Sequence, residues 1–490
     1  MLKTKNKYVL ILFGILIFAL ILRIWVFSIT YNQPVWWDEG DYLSEAKRIG
    51  LSLEHVKSLW YYRRPLFLPL FWGLIFKIGG SELALRLTEL LFSFLTILFT
   101  YLLGKEMFNK KVGLIAAFGM SICRIHLFLT GRLLVGIPAT CFFISGLWLF
   151  WKGYFKEEKY WYIWLSGVLI GLSFFSKFAF FLAIIPLGIL VLLKEKLRFL
   201  KSKHLWIFFL IIFLILTPFF IKYKEHYPGG IRDFIKHYTS IGIKEGPTPN
   251  YMKLKGIWNY FKDIIVNTSW FMFIMFLIGC GVFVDLFIGF DMIFKNKKLM
   301  KLIFILFWIL VPLVYHGYFS EYVQERYFIW AYPAIFILAG VGLLKVHNYI
   351  KKHNKKLASI FVLVILFAGA YSQISAANEI IKFKKNSYLE VKQSALWIKK
   401  HTNPGDVVIC QSAPQYTYYS ERFVYGYEAN REEFERQLNE LKPKYVVVSI
   451  FEQHPEWVYT YFGEYKERFK PIKIYNLNNK PILIIYEVKD

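Results

Sequence analysis

For its first 376 residues the chain alternates long apolar runs with short charged punctuation, and then the pattern changes. Runs bounded by charges lie near residues 8–29, 83–104, 112–130, 133–151, 160–176, 178–193, 204–222, 268–290, 302–319, 327–345 and 357–376. A helix crossing roughly 30 Å of hydrocarbon needs about 20 mostly apolar residues, so these runs predict about eleven transmembrane helices. The run Pro65–Ile78, PLFLPLFWGLIFKI, is short for a span and predicts an interfacial or re-entrant helix inside an outer loop. Beyond Ala376 a helical pattern over Ser387–His401 ends at the turn cluster Thr402–Asp406. Short β-type runs follow at Val407–Cys410, Tyr445–Ile450, Ile472–Tyr475 and Ile482–Tyr486, with a charged helical stretch at Asn430–Leu441. The predicted fold class is a polytopic α-helical membrane protein over residues 1–377, with a soluble α/β domain over 378–490.

Charge placement orients the spans. With the lysine-rich N-terminus inside, the inner loops are Lys105–Lys111, Lys152–Lys159, Lys194–Lys203, Lys295–Lys301 and Lys345–Lys356, all lysine-rich. Lys and Arg in short loops set orientation, which predicts the N-terminus inside and the C-terminal domain outside. Counting Pro65–Ile78 as a span would invert every later loop. The large outer loops are then 30–82 and 223–267. Composition agrees: 56% of the 490 residues are hydrophobic, only 19% are charged, and mean hydropathy is +0.41. The formal net charge of +26 follows the inner loops rather than one basic face, which argues against nucleic acid as a partner. Four cysteines without paired spacing give neither a disulfide framework nor a metal motif. A bacterial-type cell membrane suits this composition.

Against this background one stretch stands out. WWDEGDYLSEAKRI, residues 36–49, places Asp38, Glu39, Asp41 and Glu45 directly outside the first span. Acids at a helix start are favoured by about 0.3–1 kcal/mol, so part of the cluster serves to open a surface helix. Bases gather at the same depth: Arg63 and Arg64 before Pro65, Arg86, Arg124, His126, Arg132, Lys177 and Arg326. Each alone could snorkel to the interface. Several on one membrane face, beside a carboxylate pair, predict a shared polar pocket. Cations at headgroup depth suit a phosphate, and a carboxylate beside them can take a proton from an incoming hydroxyl.

These residues resemble the integral-membrane glycosyltransferases of the C-type fold, above all the protein-O-mannosyltransferase and aminoarabinose-transferase group. The likeness rests on the Asp38-Glu39 pair after the first span, Arg64-Pro65-Leu66, Arg86 in SELALRLTELL, Lys177 closing GVLIGLSFFSK, and Arg326-Tyr327 with Pro333 in ERYFIWAYP. It implies a dolichyl- or undecaprenyl-phosphate-linked sugar donor, bound from the outer leaflet, and inverting transfer to a protein, lipid or glycan acceptor. Carried over residue by residue, Asp38 is the catalytic base, and Glu39 positions the acceptor or a metal. Arg64, Lys177 and Arg326 bind the phosphate, Arg86 supports the loop, and Asp41 is a further carboxylate at the substrate. Relatives carry another acid at the start of the fourth span, where this chain has GRLLVGIPAT with Gly136. A divalent metal is therefore left open, without an assigned ligand set; His126 and His316 are alternative ligands, and no other cofactor is indicated.

Two rival readings follow from the same sequence. A transporter or lipid flippase would place carboxylates within spans, and Asp285 is the main one here. A polysaccharide polymerase or ligase would use the same carriers with a diphosphate-linked glycan. The tyrosine-rich QYTYYSERFVYGY, with Tyr416, Tyr418, Tyr419 and Tyr425, predicts an aromatic loop that could stack on a sugar or pack a strand edge.

Overall fold

A computed structural model describes residues 2–489 apart from 54–55, 57–63, 158, 226–227, 231, 234–249, 282–296 and 320–323. Arg63 and Asp285 thus lie outside the described residues. Among those described, eight helices are long and apolar enough to cross a membrane, or nine if one bent pair counts as a single span. The chain is a multi-pass membrane protein.

Helix α1 (Leu2–Thr30) leads into α2 (Trp37–Leu51) and the short apolar α3 (Phe67–Lys77). Next come α4 (Glu82–Met107) and the bent pair α5 (Lys110–Ile122) and α6 (Arg124–Thr130), which turn by 57° at Cys123. The expected straight span over 112–130 is therefore broken. Helices α7 (Gly136–Trp151) and α8 (Tyr160–Ser176) have 16 and 17 residues and are not counted among those eight. Helices α9 (Ile184–Glu195) and α10 (Lys203–Lys222) follow. Helix α11 (Asn250–Gly281) starts well before the expected position 268, so helix replaces much of the expected outer loop 223–267; it breaks at Ser269, whose φ is 69°. Helices α12 (Lys297–Val314), α13 (Tyr332–His353) and α14 (Lys355–Lys384) complete the apolar part. Helix α14 runs past the expected boundary at 377, as far as Lys384.

The C-terminal part begins with α15 (Leu389–His401) and builds a five-stranded sheet in the order β2-β1-β3-β5-β4. Its strands are β1 (Val407–Cys410), β2 (Phe423–Tyr425), β3 (Tyr445–Ser449), β4 (Phe469–Leu477) and β5 (Lys480–Val488). Strand β1 pairs in parallel with β2 and β3, while β5 is antiparallel to both β3 and β4. Helix α16 (Ala413–Ser420) connects β1 to β2, and α17 (Arg431–Leu441), capped by the Asn430 side chain, connects β2 to β3. Helix α18 (Val458–Glu464) precedes β4. The tyrosine-rich segment is thus a helix and a short strand rather than a loop, with Tyr416, Tyr418 and Tyr419 buried. An eight-residue helix presents apolar groups on more than one side only when it is enclosed, and this one is.

What encloses it matters for the site. One hydrophobic core joins Leu43 and Ala46 of α2 and Leu68, Trp72 and Phe76 of α3 to Tyr416, Tyr419, Val447 and Ile485 of the C-terminal part. Helices α2 and α3 and the sheet therefore bury their apolar surface against each other. A separate and larger core lies among the apolar helices.

Candidate functional site

Helix α2 carries the acids, and its start explains their placement. Trp36 is extended (φ −86°, ψ 175°), and its N–H donates to Glu39 Oε2 at 2.6 Å. This is the returning half of a capping box. At 3.6 residues per turn, Asp38, Asp41 and Glu45 share one face of α2, Glu39, Leu43 and Ala46 a second, and Gly40, Ser44 and Lys47 a third.

The first face meets the bases. Asp38 Oδ1 accepts from Arg64 Nη2 at 3.0 Å, and Asp38 Oδ2 lies 2.6 Å from Arg326 Nη2. Arg64 Nη1 lies 2.9 Å from Asp41 Oδ2, and its guanidinium stands 5.4 Å from the Tyr42 ring centre. Arg326 Nε donates to Gln324 Oε1 at 2.6 Å. Lys177 reaches the same place from the break between α8 and the turn that follows, where its backbone is extended (φ −154°, ψ 110°). Its Nζ is 5.0 Å from the Tyr327 ring centre, on which Arg326 also stands, at 5.5 Å. Among the described residues no carboxylate lies within ion-pair distance of Lys177, although it feels the charges of Arg326 and Asp38. Five of the seven residues singled out in the sequence, namely Asp38, Asp41, Arg64, Lys177 and Arg326, therefore converge.

Burial opposes the charge of Asp38, but Arg326 and Arg64 outweigh it and hold the carboxyl below its usual range. Asp41 goes the other way. Its side chain is nearly enclosed, and neither oxygen has a hydrogen-bond partner despite the nearby Arg64. Burial outweighs the attraction of Arg64, Asp38 repels further charge, and the carboxyl is pushed up to about 7. The folded protein then holds a proton that the unfolded chain gives up near pH 4. Stability contributed by this group is full at acid pH and is lost as pH rises toward 7. Ionised Asp41 adds a negative charge to the basic cluster, so affinity for a phosphate ligand is expected to fall as pH rises from 6 to 8. Titrating phosphate-ligand binding in wild type and Asp41→Asn checks this; the variant should show a flatter profile.

Glu39, expected to position the acceptor or a metal, is placed elsewhere, and Arg86, expected to support the loop, also stands away from the open cavity beside Asp38. Glu39 is fully enclosed; its carboxylate receives Arg132 Nη2 at 2.5 Å and Leu133 N–H at 2.6 Å. The Arg132 guanidinium in turn lies 3.8 Å from the Trp36 ring centre. Position explains the difference, because one residue along a helix turns a side chain by about 100°. Arg86 is buried as well, donating to Gly131 O at 3.0 Å, Gln33 O at 2.8 Å and Glu82 Oε1 at 2.7 Å. It ties the two segments that precede α2 and α7, and neither residue lines the open cavity.

That cavity, of about 560 Å³, opens beside Asp38 and is bounded by Trp36, Trp37, Glu325, Arg326, Lys384 and Tyr388, among others. Glu325 is braced by Arg124 at 2.5 Å, and Arg124 Nε donates to Asn267 Oδ1 at 3.1 Å. Glu325 could have been found from its neighbour Arg326; Lys384 and Tyr388 carry no local signal, because they reach the site only through the length of α14. His126 faces Arg23, 2.9 Å away, in the helix interior. Among the described residues no three His, Cys, Asp or Glu side chains converge to hold a metal ion, and Asp38 and Asp41 face arginine instead.

With the geometry established, comparison with known proteins is informative. Residues 63–221 match the family model of dolichyl-phosphate-mannose-protein mannosyltransferases. No curated protein sequence matches the chain. Among solved structures, ArnT from Cupriavidus metallidurans bound to undecaprenyl phosphate is similar at a TM-score of 0.64 and 12% identity, over 98% of each chain. The oligosaccharyltransferase AglB from Archaeoglobus fulgidus, in complex with an inhibitory peptide and a dolichol-phosphate, gives 0.68 and 15%, over 94% of this chain and 71% of that one. The chain has the glycosyltransferase C-type fold, and residues 63–221 within it carry the sequence pattern of the dolichyl-phosphate-mannose-protein mannosyltransferases.

Proposed function

We propose that the protein transfers a sugar from a polyprenyl-phosphate carrier to an acceptor hydroxyl at the extracytoplasmic face of the cell membrane, with Asp38 as general base. One observation carries the reading: a carboxylate held between two arginines, in the field of Lys177 and at the mouth of a cavity. The likeness to structures holding undecaprenyl phosphate and dolichol-phosphate supports the carrier class.

In this reading the acceptor enters the cavity and presents its hydroxyl to Asp38. The acceptor oxygen bonds to the anomeric carbon as the carbon–oxygen bond to phosphate breaks, from the opposite side, so configuration inverts. Asp38 takes the hydroxyl proton, and the electron pair leaves with the phosphate, whose growing charge is met by Arg64, Arg326 and Lys177. The resting arrangement is informative. Asp38 now occupies the anion position of both arginines, which weakens it as a base. A donor phosphate that draws Arg64 and Arg326 toward itself restores proton affinity to Asp38 when the substrate is in place.

Among the described residues Lys177 has no carboxylate to neutralise it, so its charge is available to the donor. A hydrogen bond to a charged group contributes about 1.5–3 kcal/mol. Lys177→Met is therefore expected to weaken binding of undecaprenyl phosphate by roughly 10- to 100-fold, measured by binding to protein in lipid nanodiscs. Unchanged affinity would remove Lys177 from the phosphate site. The reading as a whole is tested by incubating the protein with radiolabelled polyprenyl-phosphate sugars and following transfer or donor consumption. A protein that neither binds nor consumes any of them is not this enzyme, and the transporter reading would then be favoured.

A further inference from the structure

We infer that helix α16 of the C-terminal part is a positioning element of the transfer site, acting on Asp38 through Gly40. The inference rests on the functional reading above only for what the site does.

The third face of α2, opposite the acids, is covered by α16. Lys47 Nζ donates to Tyr418 O at 3.0 Å and to Glu421 Oε1 at 2.8 Å, and Ser44 Oγ donates to Pro414 O at 3.4 Å. The approach is closest at Gly40. A Cβ built there would lie 2.7 Å from Pro414 C, 2.8 Å from Pro414 O and 2.9 Å from Gln415 N. All three are backbone atoms, so no side-chain rotation can make room. Glycine is required by proximity, in a stretch that is otherwise regular helix.

Two further bonds fix the frame around α2. Val35 N–H donates to Tyr419 Oη at 2.9 Å, immediately before the helix begins. Tyr418 Oη donates to Glu82 Oε2 at 2.8 Å, and the other oxygen of Glu82 holds Arg86. Helix α16 therefore touches α2, the segment leading into it and the start of α4. The acids stand on the far side of α2 from α16, so a shift between the two helices moves Asp38 relative to Arg326 and Lys177, which belong to the apolar bundle. Reaction rates respond steeply to such shifts; a misplacement of about 1 Å can cost roughly 100-fold. Arg326 and Lys177 do not ride on α2, so donor affinity should respond much less than kcat.

The test uses the full chain in lipid nanodiscs. Gly40→Ala and Gly40→Val are compared with wild type and with Gly463→Ala, a glycine that has nothing within 4 Å of an added Cβ. Sugar transfer gives kcat and KM for the donor, undecaprenyl phosphate binding is measured separately, and amide exchange is followed over residues 37–51. Gly40→Ala is expected to lower kcat by about 10- to 100-fold, with donor KM and phosphate affinity within about twofold of wild type. Exchange over α2 should rise, and Gly463→Ala should behave as wild type. Should Gly40→Ala fail to accumulate, Tyr419→Phe removes the acceptor of Val35 N–H without adding volume and should lower kcat alone, by several-fold. Wild-type kcat in Gly40→Ala, or parallel loss of kcat and phosphate affinity, overturns the proposal. If the wild type transfers no polyprenyl-phosphate sugar, the functional reading fails on its own. The coupling is then judged by exchange: a rise over residues 37–51 in Gly40→Val sustains it, and none refutes it.

Discussion

Asp38→Asn is expected to lower sugar transfer by about 10²- to 10⁴-fold, the span by which a positioned general base accelerates proton transfer, while binding the donor phosphate more tightly than wild type. The second half separates this reading from a structural one. Asp38 ion-pairs with Arg64 at 3.0 Å and with Arg326 at 2.6 Å, so in the resting protein it competes with a phosphate for both guanidinium groups. Asparagine keeps the shape and removes the charge. Arg326 is then released to the donor and Arg64 keeps only Asp41, so affinity rises as turnover falls. If Asp38 served only to start α2, the substitution would cost a few tenths of a kcal/mol and leave turnover near wild type. Transfer kinetics together with undecaprenyl phosphate binding distinguish these outcomes. Full activity in the variant would move the base to another carboxylate of α2.

The second large effect concerns stability. Glu39→Gln is expected to destabilise the fold by about 3–5 kcal/mol, because removing one partner of a buried ion pair leaves the other without compensation. Glu39 and Arg132 are both almost wholly enclosed, and Arg132 Nε and Nη1 have no hydrogen-bond partner even now. The stranded guanidinium would keep its bond to Pro34 O at 3.3 Å and its position over the Trp36 ring, the latter a contact of about 0.5–2 kcal/mol. A loss of this size is a large share of a typical folding free energy of about 5–15 kcal/mol. The double variant Glu39→Gln, Arg132→Met should recover much of it, since replacing both charges by groups of similar volume is often close to neutral. Thermal unfolding in detergent, read by intrinsic fluorescence, compares the three proteins. A stable but inactive Glu39→Gln would instead return Glu39 to the chemistry.

The contrast between Asp38 and Glu39 shows where sequence reading succeeds and where it stops. The apolar runs, the acid cluster beyond the first of them and the bases at matching depth were all legible, because each is a local departure from a simple background. That Asp38, Arg64, Lys177 and Arg326 share one place could be anticipated from depth in the membrane. Which of two adjacent acids faces that place could not. It depends on the rotational setting of α2, fixed by Trp36 and by packing against α16 more than 370 residues later. The same distance hid the tyrosines: QYTYYS has no periodicity that marks a helix, and it is helical because α2 and α15 enclose it. The start of α11 at Asn250 was missed because its first turns are polar and lie outside the apolar run.

The core shared by the first outer segment and the C-terminal sheet also sets an order of maturation. Helix α2 leaves the ribosome among the first fifty residues, whereas the surfaces that cover it are made after residue 388. Domains generally fold as units during synthesis, with N-terminal ones first, but this unit joins α2 and α3 to a sheet made after residue 388. Until the segment from Leu389 to Val488 has been made and meets them, α2 and α3 must wait with one apolar flank uncovered. The bundle can be inserted and complete while the segment bearing Asp38 still lacks its support. A chain that has not yet made the sheet holds Asp38 on a helix whose apolar flank has no cover, so the setting of that residue is fixed only after the bundle.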